Sequence, residues 1–428
     1  MHIQHFDNDC RQGYFFLMIT TKRVSATTSL AALSLTGLLV TGCSSGSADS
    51  DSASRAGATA ADATVVDSAT PRLAVSYDGG ILVLDADTLD VVGQEDAEGF
   101  VRINPAGDGR HVFVSGADGF TALDTGTWTD GGTHYTADPS LTGITFGATT
   151  PGHVVRHDGR TVLFDDGTGR VLVLDPAELA SGDAAVTREY TTPEAHHGVA
   201  VELSDGTLIT TEGNEDERHS VVARGPGDEE IARTDDCPGV HGEAVADGET
   251  VIVGCENGLV LYRDGAFRKV SSLDPYGRIG NQAGDEESAF VLGDYKVDPD
   301  AELERPERVS ITNVRSGELT LVDLPASHTF RSLARGPHGE ALVLGTDGAL
   351  HVIDPETARV TRSIEVVDPW TEPGKWQSPR PALFVADHTA YVTDPATDSL
   401  HAVDIESGAV TASATLPETP NEITGVTG

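Results

Sequence analysis

The sequence has few basic residues and few aromatic residues, and after residue 70 it has no long hydrophobic runs. It contains 28 Lys and Arg against 68 Asp and Glu, a formal net charge of −40 at pH 7. Such a surface repels nucleic acid and attracts cations without specificity, so no nucleic-acid partner is expected. The charge alone does not indicate a metal site, because many proteins carry acidic surfaces for solubility.

Long amphipathic helical patterns are also absent after residue 70, while glycine is abundant at 47 residues. Short apolar runs alternate instead with tight turns, which is typical of an all-β fold. The strongest hairpin signals are Asp-Gly or Asn-Gly pairs between apolar runs. They occur at Asp78-Gly79, Asp118-Gly119, Asn257-Gly258 and Asp347-Gly348.

These runs repeat about every 45 residues with four short strands per unit, the pattern of a β-propeller blade. We predict a single propeller with eight four-stranded blades, or seven if the irregular region 272–327 does not form a blade. Segment 72–96 supplies only three strands, so the terminal segment 421–428 is expected to complete that blade and close the ring. The inserts 125–150, 295–306 and 365–378 are expected to be surface loops.

The N-terminal part of the chain predicts export. Residues 18–42 read as a lipoprotein signal peptide, with a basic start, an apolar stretch and a lipobox-like Val40-Thr41-Gly42-Cys43. Cys43 is then the lipidated residue and anchors the protein to the outer face of the cell membrane. A transmembrane helix is the alternative, but the stretch is rich in Ser and Thr and barely long enough.

The predicted domain boundaries follow from these assignments. Residues 1–17 do not fit a signal peptide and are interpreted as an artefactual upstream extension. Residues 43–71, mainly Ser, Ala, Asp and Gly, predict a flexible acidic tether. Residues 72–428 form the propeller, which we expect to be monomeric.

Three histidines recur in similar local settings at equal spacing. His153, His197 and His241 are each 44 residues from the next, close to one blade repeat. Equivalent positions on successive blades converge at the central channel, and three or four imidazoles there would make a Zn²⁺ site. The alternative is that each histidine only caps a strand, and Cu²⁺ or Ni²⁺ would also suit imidazole ligands.

Two further histidines are candidate ligands. His328 lies about two more repeats along the chain, and His196 is an alternative to its neighbour His197. Adjacent strand residues face opposite ways, so His196 and His197 cannot easily both point into the channel. The weaker candidates for completing the shell are carboxylates, namely Glu98, Glu194, Glu243 and Asp285.

Apart from the lipidated Cys43, the predicted mature chain contains two cysteines, Cys237 and Cys255. An even pair in an exported protein indicates a disulfide by default. Two thiolate zinc ligands are the alternative, although the spacing matches no zinc-ribbon pattern.

Several segments resemble the AztD-type zinc metallochaperones, which are extracytoplasmic β-propellers encoded with zinc ABC importers. The matching segments are Pro151–Val155, Ala195–Val199, Cys237–Ala244 and Gly254–Gly258. The resemblance implies a Cys237–Cys255 disulfide and Zn²⁺ bound at the channel mouth. It also implies transfer of that ion to the importer's solute-binding protein. Ligand roles carry over to His153, His197 and His241, with His196 and His328 as further candidates.

One departure from the family concerns the N-terminal arm, which in such proteins is often rich in His and Asp. Residues 44–70 contain no histidine here, so metal is expected to reach the channel site directly. No Ser/His/Asp spacing, nucleophile elbow or phosphate loop is present, and a carrier that is not an enzyme is predicted. A lactonase-like metal hydrolase and a purely protein-binding propeller remain the alternatives.

Overall fold

The computed structural model describes residues 57–428, and these form eight four-stranded antiparallel sheets arranged as the blades of a β-propeller. The predicted all-β fold with eight blades is therefore confirmed. The predicted signal peptide and Cys43 lie outside the described residues. No helix of the part described is long and apolar enough to cross a membrane.

Each blade runs from an innermost strand at the channel to an outermost strand at the rim. In blade order, the innermost strands are Ile423–Val426, Arg102–Pro105, Pro151–His157, Ala200–Glu202, His241–Ala246, Gln282–Ala283, Leu333–Arg335 and Leu383–Ala386. The second strands are Arg72–Tyr77, His111–Gly116, Arg160–Asp165, Leu208–Gly213, Thr250–Cys255, Phe290–Asp294, Ala341–Leu344 and Thr389–Asp394.

The outer half of each blade is equally regular. The third strands are Gly80–Asp85, Gly119–Asp124, Arg170–Leu174, Arg218–Arg224, Asn257–Arg263, Arg308–Asn313, Ala349–Asp354 and Ser399–Asp404. The outermost strands are Val91–Asp96, Ser140–Phe146, Val186–Thr191, Glu230–Thr234, Ala266–Ser271, Glu318–Asp323, Arg359–Glu365 and Ala409–Thr415. In blade 3 a 3₁₀ helix, Pro176–Ala185, precedes the outermost strand, and Gly277–Arg278 pairs in parallel with the third strand of blade 5.

The C-terminal strand closes the ring, as predicted. Ile423–Val426 pairs antiparallel with Arg72–Tyr77, so blade 1 combines the last strand with three strands from the start of the propeller. Apolar side chains of blades 8 and 1 share one buried cluster that includes Leu73 and Tyr391. Burial of this interface between blades supplies the main driving force for closure.

The structure differs from two expectations, one for the insert 125–150 and one for the tether. The insert 125–150 is not a loop, because it contains the outermost strand of blade 2 and a hairpin formed by Thr127–Asp130 and Thr133–Thr136. Thr64–Val66, from the segment assigned to the tether, adds a third strand to this hairpin. Arg110 joins the same region, with its guanidinium 3.9 Å from the ring centre of Trp128 and Nη2 donating to the Ala58 carbonyl.

Candidate metal centre

Three consecutive blades bring His153, His197 and His241 together at one mouth of the channel. His153 lies near the start of its innermost strand, His241 is the first residue of its strand, and His197 shortly precedes Ala200–Glu202. Their ring centres are 5.2 Å (His153–His197), 5.9 Å (His153–His241) and 4.9 Å (His197–His241) apart. We refer to these residues as the histidine triad.

The spacing of the triad suits a single metal ion. One nitrogen from each ring lies within 4.8 Å of the other two. Two ligands of one zinc ion, each bound at 2.0–2.1 Å, are at most about 4.2 Å apart, so small side-chain rotations would bring all three onto one ion. Among residues 57–428 this is the one group of three or more metal-ligating side chains at such spacing, and no carboxylate completes it.

Each imidazole is held through Nδ1 by a group from another part of the ring. Nδ1 of His197 donates to Oδ2 of Asp166 at 2.6 Å, and Nδ1 of His241 donates to the Gly280 carbonyl at 2.5 Å. Oε2 of Glu243 lies 2.9 Å from Nδ1 of His153. Contacts of this kind orient metal-binding histidines and fix the tautomer in many metalloproteins.

This arrangement leaves Nε2 of each ring for the ion. The Nε2 atom of His197 is buried and has no hydrogen-bond partner among the protein atoms. A buried nitrogen without a partner is costly, and coordination to a metal would satisfy it. The residues present therefore fit one metal ion that accepts imidazole nitrogens, such as zinc.

The protonation of the triad is set by burial and by its carboxylates. Burial, followed by the charges of His197 when it is protonated and of Arg278, holds the pKa of His241 well below its ordinary value. Burial also lowers the pKa of His197 in spite of Asp166. Burial acts in the same direction on His153, but Glu243 and then Asp166 outweigh it, and the pKa of His153 is raised. His197 and His241 are thus neutral near pH 7, the form that binds metal.

Two glycines permit these close approaches. A Cβ atom on Gly152 would overlap the carboxylate of Asp166, and one on Gly242 would overlap the Gly280 carbonyl. Gly242 also has φ of 71°, in the left-handed region that favours glycine, and it interrupts the strand register between His241 and Glu243. Glycine at positions 152 and 242 is therefore needed for the shape of the site.

His196 and His328 are not part of the triad. His196 faces the opposite way from His197 and is buried against Phe164, with Nε2 2.9 Å from Thr211 Oγ1. His328 precedes its strand, which begins only at Leu333, and packs against blade 6 with Nε2 donating to the Arg308 carbonyl. Of the five candidate histidines, the structure brings His153, His197 and His241 together at the channel mouth.

The cysteines form the expected disulfide, so they are not thiolate ligands. Cys237 and Cys255 are bonded, with Cα atoms 4.9 Å apart, and both are fully buried. The bridge ties the segment that leads into His241 to the second strand of blade 5. It therefore supports the position of one triad member without contacting the ion site.

Below the triad the channel opens into a cavity of about 280 Å³ that is lined by Glu243, Arg156, Asp285 and Glu286, among others.

At the opposite mouth, the buried His157 joins three blades. Its Nε2 is 2.9 Å from Oε1 of Glu249 and its Nδ1 is 2.8 Å from Oε1 of Glu286. Glu249 also accepts from Ser204 of blade 4.

Sequence reasoning did not find Asp166 or the Gly280 carbonyl. Asp166 follows Asp165 in an ordinary Gly-containing turn, and only the topology reveals that turns between second and third strands open on the same mouth as the triad. Glu243 was considered as a ligand, whereas the structure places it behind His153.

The fold and the site define the class of protein, which is an eight-bladed β-propeller with a histidine triad at the mouth of its channel. The chain is similar to the zinc chaperone AztD of Citrobacter koseri, with 26% identity over 362 residues that cover 81% of this chain and 83% of the relative. The predicted resemblance is thereby confirmed, and the relative is named a chaperone rather than an enzyme, in agreement with the prediction. No protein-family model matches the chain.

Solved structures support the fold. Apo AztD from Citrobacter koseri has a TM-score of 0.73 at 23% identity, covering 84% of this chain and 98% of that chain. Dihydro-heme d1 dehydrogenase NirN in complex with DHE has a TM-score of 0.52 at 12% identity, covering 83% of this chain and 74% of that chain. Since one of these is a chaperone and the other a dehydrogenase, the shared fold does not decide the function.

Proposed function

We propose that the protein is an extracytoplasmic zinc metallochaperone. In this proposal His153, His197 and His241 bind one Zn²⁺ at the channel mouth, and the ion passes to the solute-binding protein of a zinc ABC importer. The observation that carries the proposal is the preorganised triad, in which an oxygen atom lies beside each Nδ1 atom and the buried Nε2 of His197 lacks a partner. The similarity to a zinc chaperone over 81% of the chain is the reason for proposing zinc as the metal and a chaperone as the role.

The location follows from the N-terminal sequence. We infer that residues 18–42 direct export and that Cys43 carries the lipid, which would keep a monomeric propeller at the outer face of the membrane beside its importer. The net charge of −40 supports a partner other than nucleic acid.

Three protein ligands with an open fourth position suit a carrier. An acceptor ligand can enter the open position before the protein ligands leave, so the ion need not dissociate into water. A metal-dependent hydrolase would use that position for water, but it also needs a base beside it. The carboxylates of Asp166 and Glu243 lie instead beside the Nδ1 atoms of His197 and His153.

Zinc titration calorimetry on protein purified without an affinity tag tests the proposal. We expect one tight Zn²⁺ per chain, and loss of that binding in the His197→Ala/His241→Ala variant. Unaltered zinc uptake by the double variant would reject the triad as the site. Zinc-loaded protein mixed with the apo solute-binding protein should transfer its ion faster than a low-molecular-weight chelate at the same free zinc concentration.

A further inference from the structure

The three triad histidines differ in what stands behind them. His153 and His197 each face a carboxylate, Glu243 at 2.9 Å and Asp166 at 2.6 Å. These carboxylates are partly shielded from water, with side chains 13% and 14% exposed. His241 instead donates to a neutral carbonyl, that of Gly280.

The three histidines differ in the charge of the group behind them and not in how firmly that group is held. The Gly280 carbonyl is well fixed, because the neighbouring Gly280 and Asn281 N–H groups both donate to Oδ1 of Asp294, at 2.7 and 3.0 Å. His241 is therefore as firmly oriented as the other two. It lacks only the negative charge that strengthens an imidazole as a ligand.

The arginines near the triad add to this difference between His241 and the other two histidines. The guanidinium of Arg278 stands beside Gly280, where an added Cβ atom would lie 3.0 Å from its Cζ atom. Arg218 also lies near His197, with Nη1 3.5 Å from the His197 carbonyl oxygen, but the Asp166 carboxylate contacts the imidazole itself. A hydrogen bond to a carboxylate raises the basicity of a metal-bound imidazole more than a bond to a neutral carbonyl does.

From this asymmetry we infer that His241 is the exchange ligand, the first to release the ion, and that Asp166 and Glu243 are positioning residues that keep His197 and His153 bound to it. The inference rests on the proposed function and specifies how the same site gives up its cargo. The ion would pass through a state held by His153 and His197, with two positions free for the ligands of the acceptor.

The test compares Zn²⁺ dissociation constants, measured by competition with a chromophoric chelator, for His153→Ala, His197→Ala and His241→Ala. Contacts behind metal ligands are commonly worth about 10–100-fold in affinity, so His153→Ala and His197→Ala should each lose at least about 10-fold more affinity than His241→Ala. Equal losses, or the largest loss in His241→Ala, would overturn the inference while leaving the proposed function intact. Unchanged zinc binding in all three variants would instead contradict the proposed function.

A second comparison separates charge from structure. Asp166→Asn keeps the size of the side chain and removes the charge behind His197. In that background, His197→Ala should cost no more than His241→Ala does. Glu217→Gln is the matched control, because Glu217 is exposed on the hairpin of blade 4 beside a separate small pocket and should leave zinc affinity unchanged.

The ligand-field spectrum of bound Co²⁺, with thermal unfolding of the metal-free proteins, checks that each variant is folded. Asp166→Asn should retain a tetrahedral Co²⁺ spectrum at raised metal concentration. Loss of that spectrum at saturating Co²⁺ would show that Asp166 maintains the fold of the site and would overturn its positioning role.

Discussion

Oε2 of Glu243 in blade 5 lies 2.9 Å from Nδ1 of His153 in blade 3, although blade 4 stands between them in the ring. Asp166 similarly links blade 3 to His197 of blade 4, and Gly280 links His241 to the segment that leads into blade 6. The candidate metal site therefore joins blades 3, 4 and 5 through side chains, and it reaches the segment before blade 6 through a backbone carbonyl. An ion bound there would hold these blades to one another.

Zinc should accordingly stabilise the whole propeller. A ligand at 100 times its dissociation constant adds about 2.7 kcal/mol to the free energy of unfolding. We expect calorimetric melting temperatures to rise with Zn²⁺ for the wild type and to stay constant for His197→Ala. Mg²⁺ is the control ion, since it prefers oxygen ligands and should not shift the melting temperature. An equal shift in His197→Ala would place the stabilising zinc elsewhere.

Gly152→Ala should weaken zinc binding without altering any ligand. The new methyl group would overlap the carboxylate of Asp166 and push it away from His197. We expect a loss of about 10–100-fold in zinc affinity, the range for lost contacts behind a metal ligand. Gly147→Ala is the control, because a Cβ there meets no atom within 4 Å. If both variants bind zinc like the wild type, the position of the Asp166 carboxylate does not depend on the absence of a side chain at Gly152.

The sequence was sufficient to predict the blades and the triad because both depend on periodicity. Alternating apolar residues and Asp-Gly turns define strands, and the 44-residue spacing places His153, His197 and His241 at equivalent positions. The same argument overextended to His328, whose spacing fits but whose strand begins later, at Leu333. Equal spacing in sequence implies equal position only when the preceding connections have equal length.

The groups behind the triad follow from three-dimensional contacts that no local pattern records. Asp166 and Glu243 are two among 68 acidic residues, and the acceptor for His241 is a backbone carbonyl, which has no sequence signature at all. Strand Thr64–Val66 was missed for a related reason, since its pairing with Thr133–Thr136 overrides a composition typical of a tether.

His157 should make stability depend on pH. Burial lowers the pKa of His157, but hydrogen bonds and charges of Glu286 and Glu249 outweigh it, and its pKa is raised above 6.5. The protonated form of His157 is therefore favoured in the folded protein. Its contribution to the free energy of unfolding is complete below pH 6.5 and is lost as pH rises through the pKa of the folded state. Because both carboxylates are partly exposed, we expect about 1 kcal/mol.

The measurement is chemical unfolding of the wild type and His157→Gln between pH 5.5 and 9. The difference in the free energy of unfolding should be largest at the acidic end and shrink toward pH 9. His219→Gln, at an exposed position on the hairpin of blade 4, serves as the control and should show no such trend. A difference that grows with pH would mean that His157 is neutral between its two carboxylates.

Removal of the disulfide should affect both stability and metal binding. The bridge closes a short loop with a sequence separation of 18, and Cys237→Ala/Cys255→Ala should lower the free energy of unfolding by about 3 kcal/mol. Because the bridge holds the segment before His241, zinc affinity should also fall, but by less than in His197→Ala. Denaturant unfolding and chelator competition give the two values. Wild-type affinity in the double variant would show that the disulfide stabilises the fold alone.

Glu422 should be essential for ring closure. Its buried carboxylate accepts from Arg331 Nη2 at 3.0 Å and from the Ile103 N–H at 3.2 Å, so the last strand is tied to blades 7 and 2. Glu422→Ala would leave Arg331 buried without this carboxylate, which typically costs about 3–5 kcal/mol. Glu418→Ala removes an exposed carboxylate from the same terminal segment and should have little effect on denaturant unfolding. If the two variants unfold alike, pairing of Ile423–Val426 with Arg72–Tyr77 closes the ring without help from the ion pair.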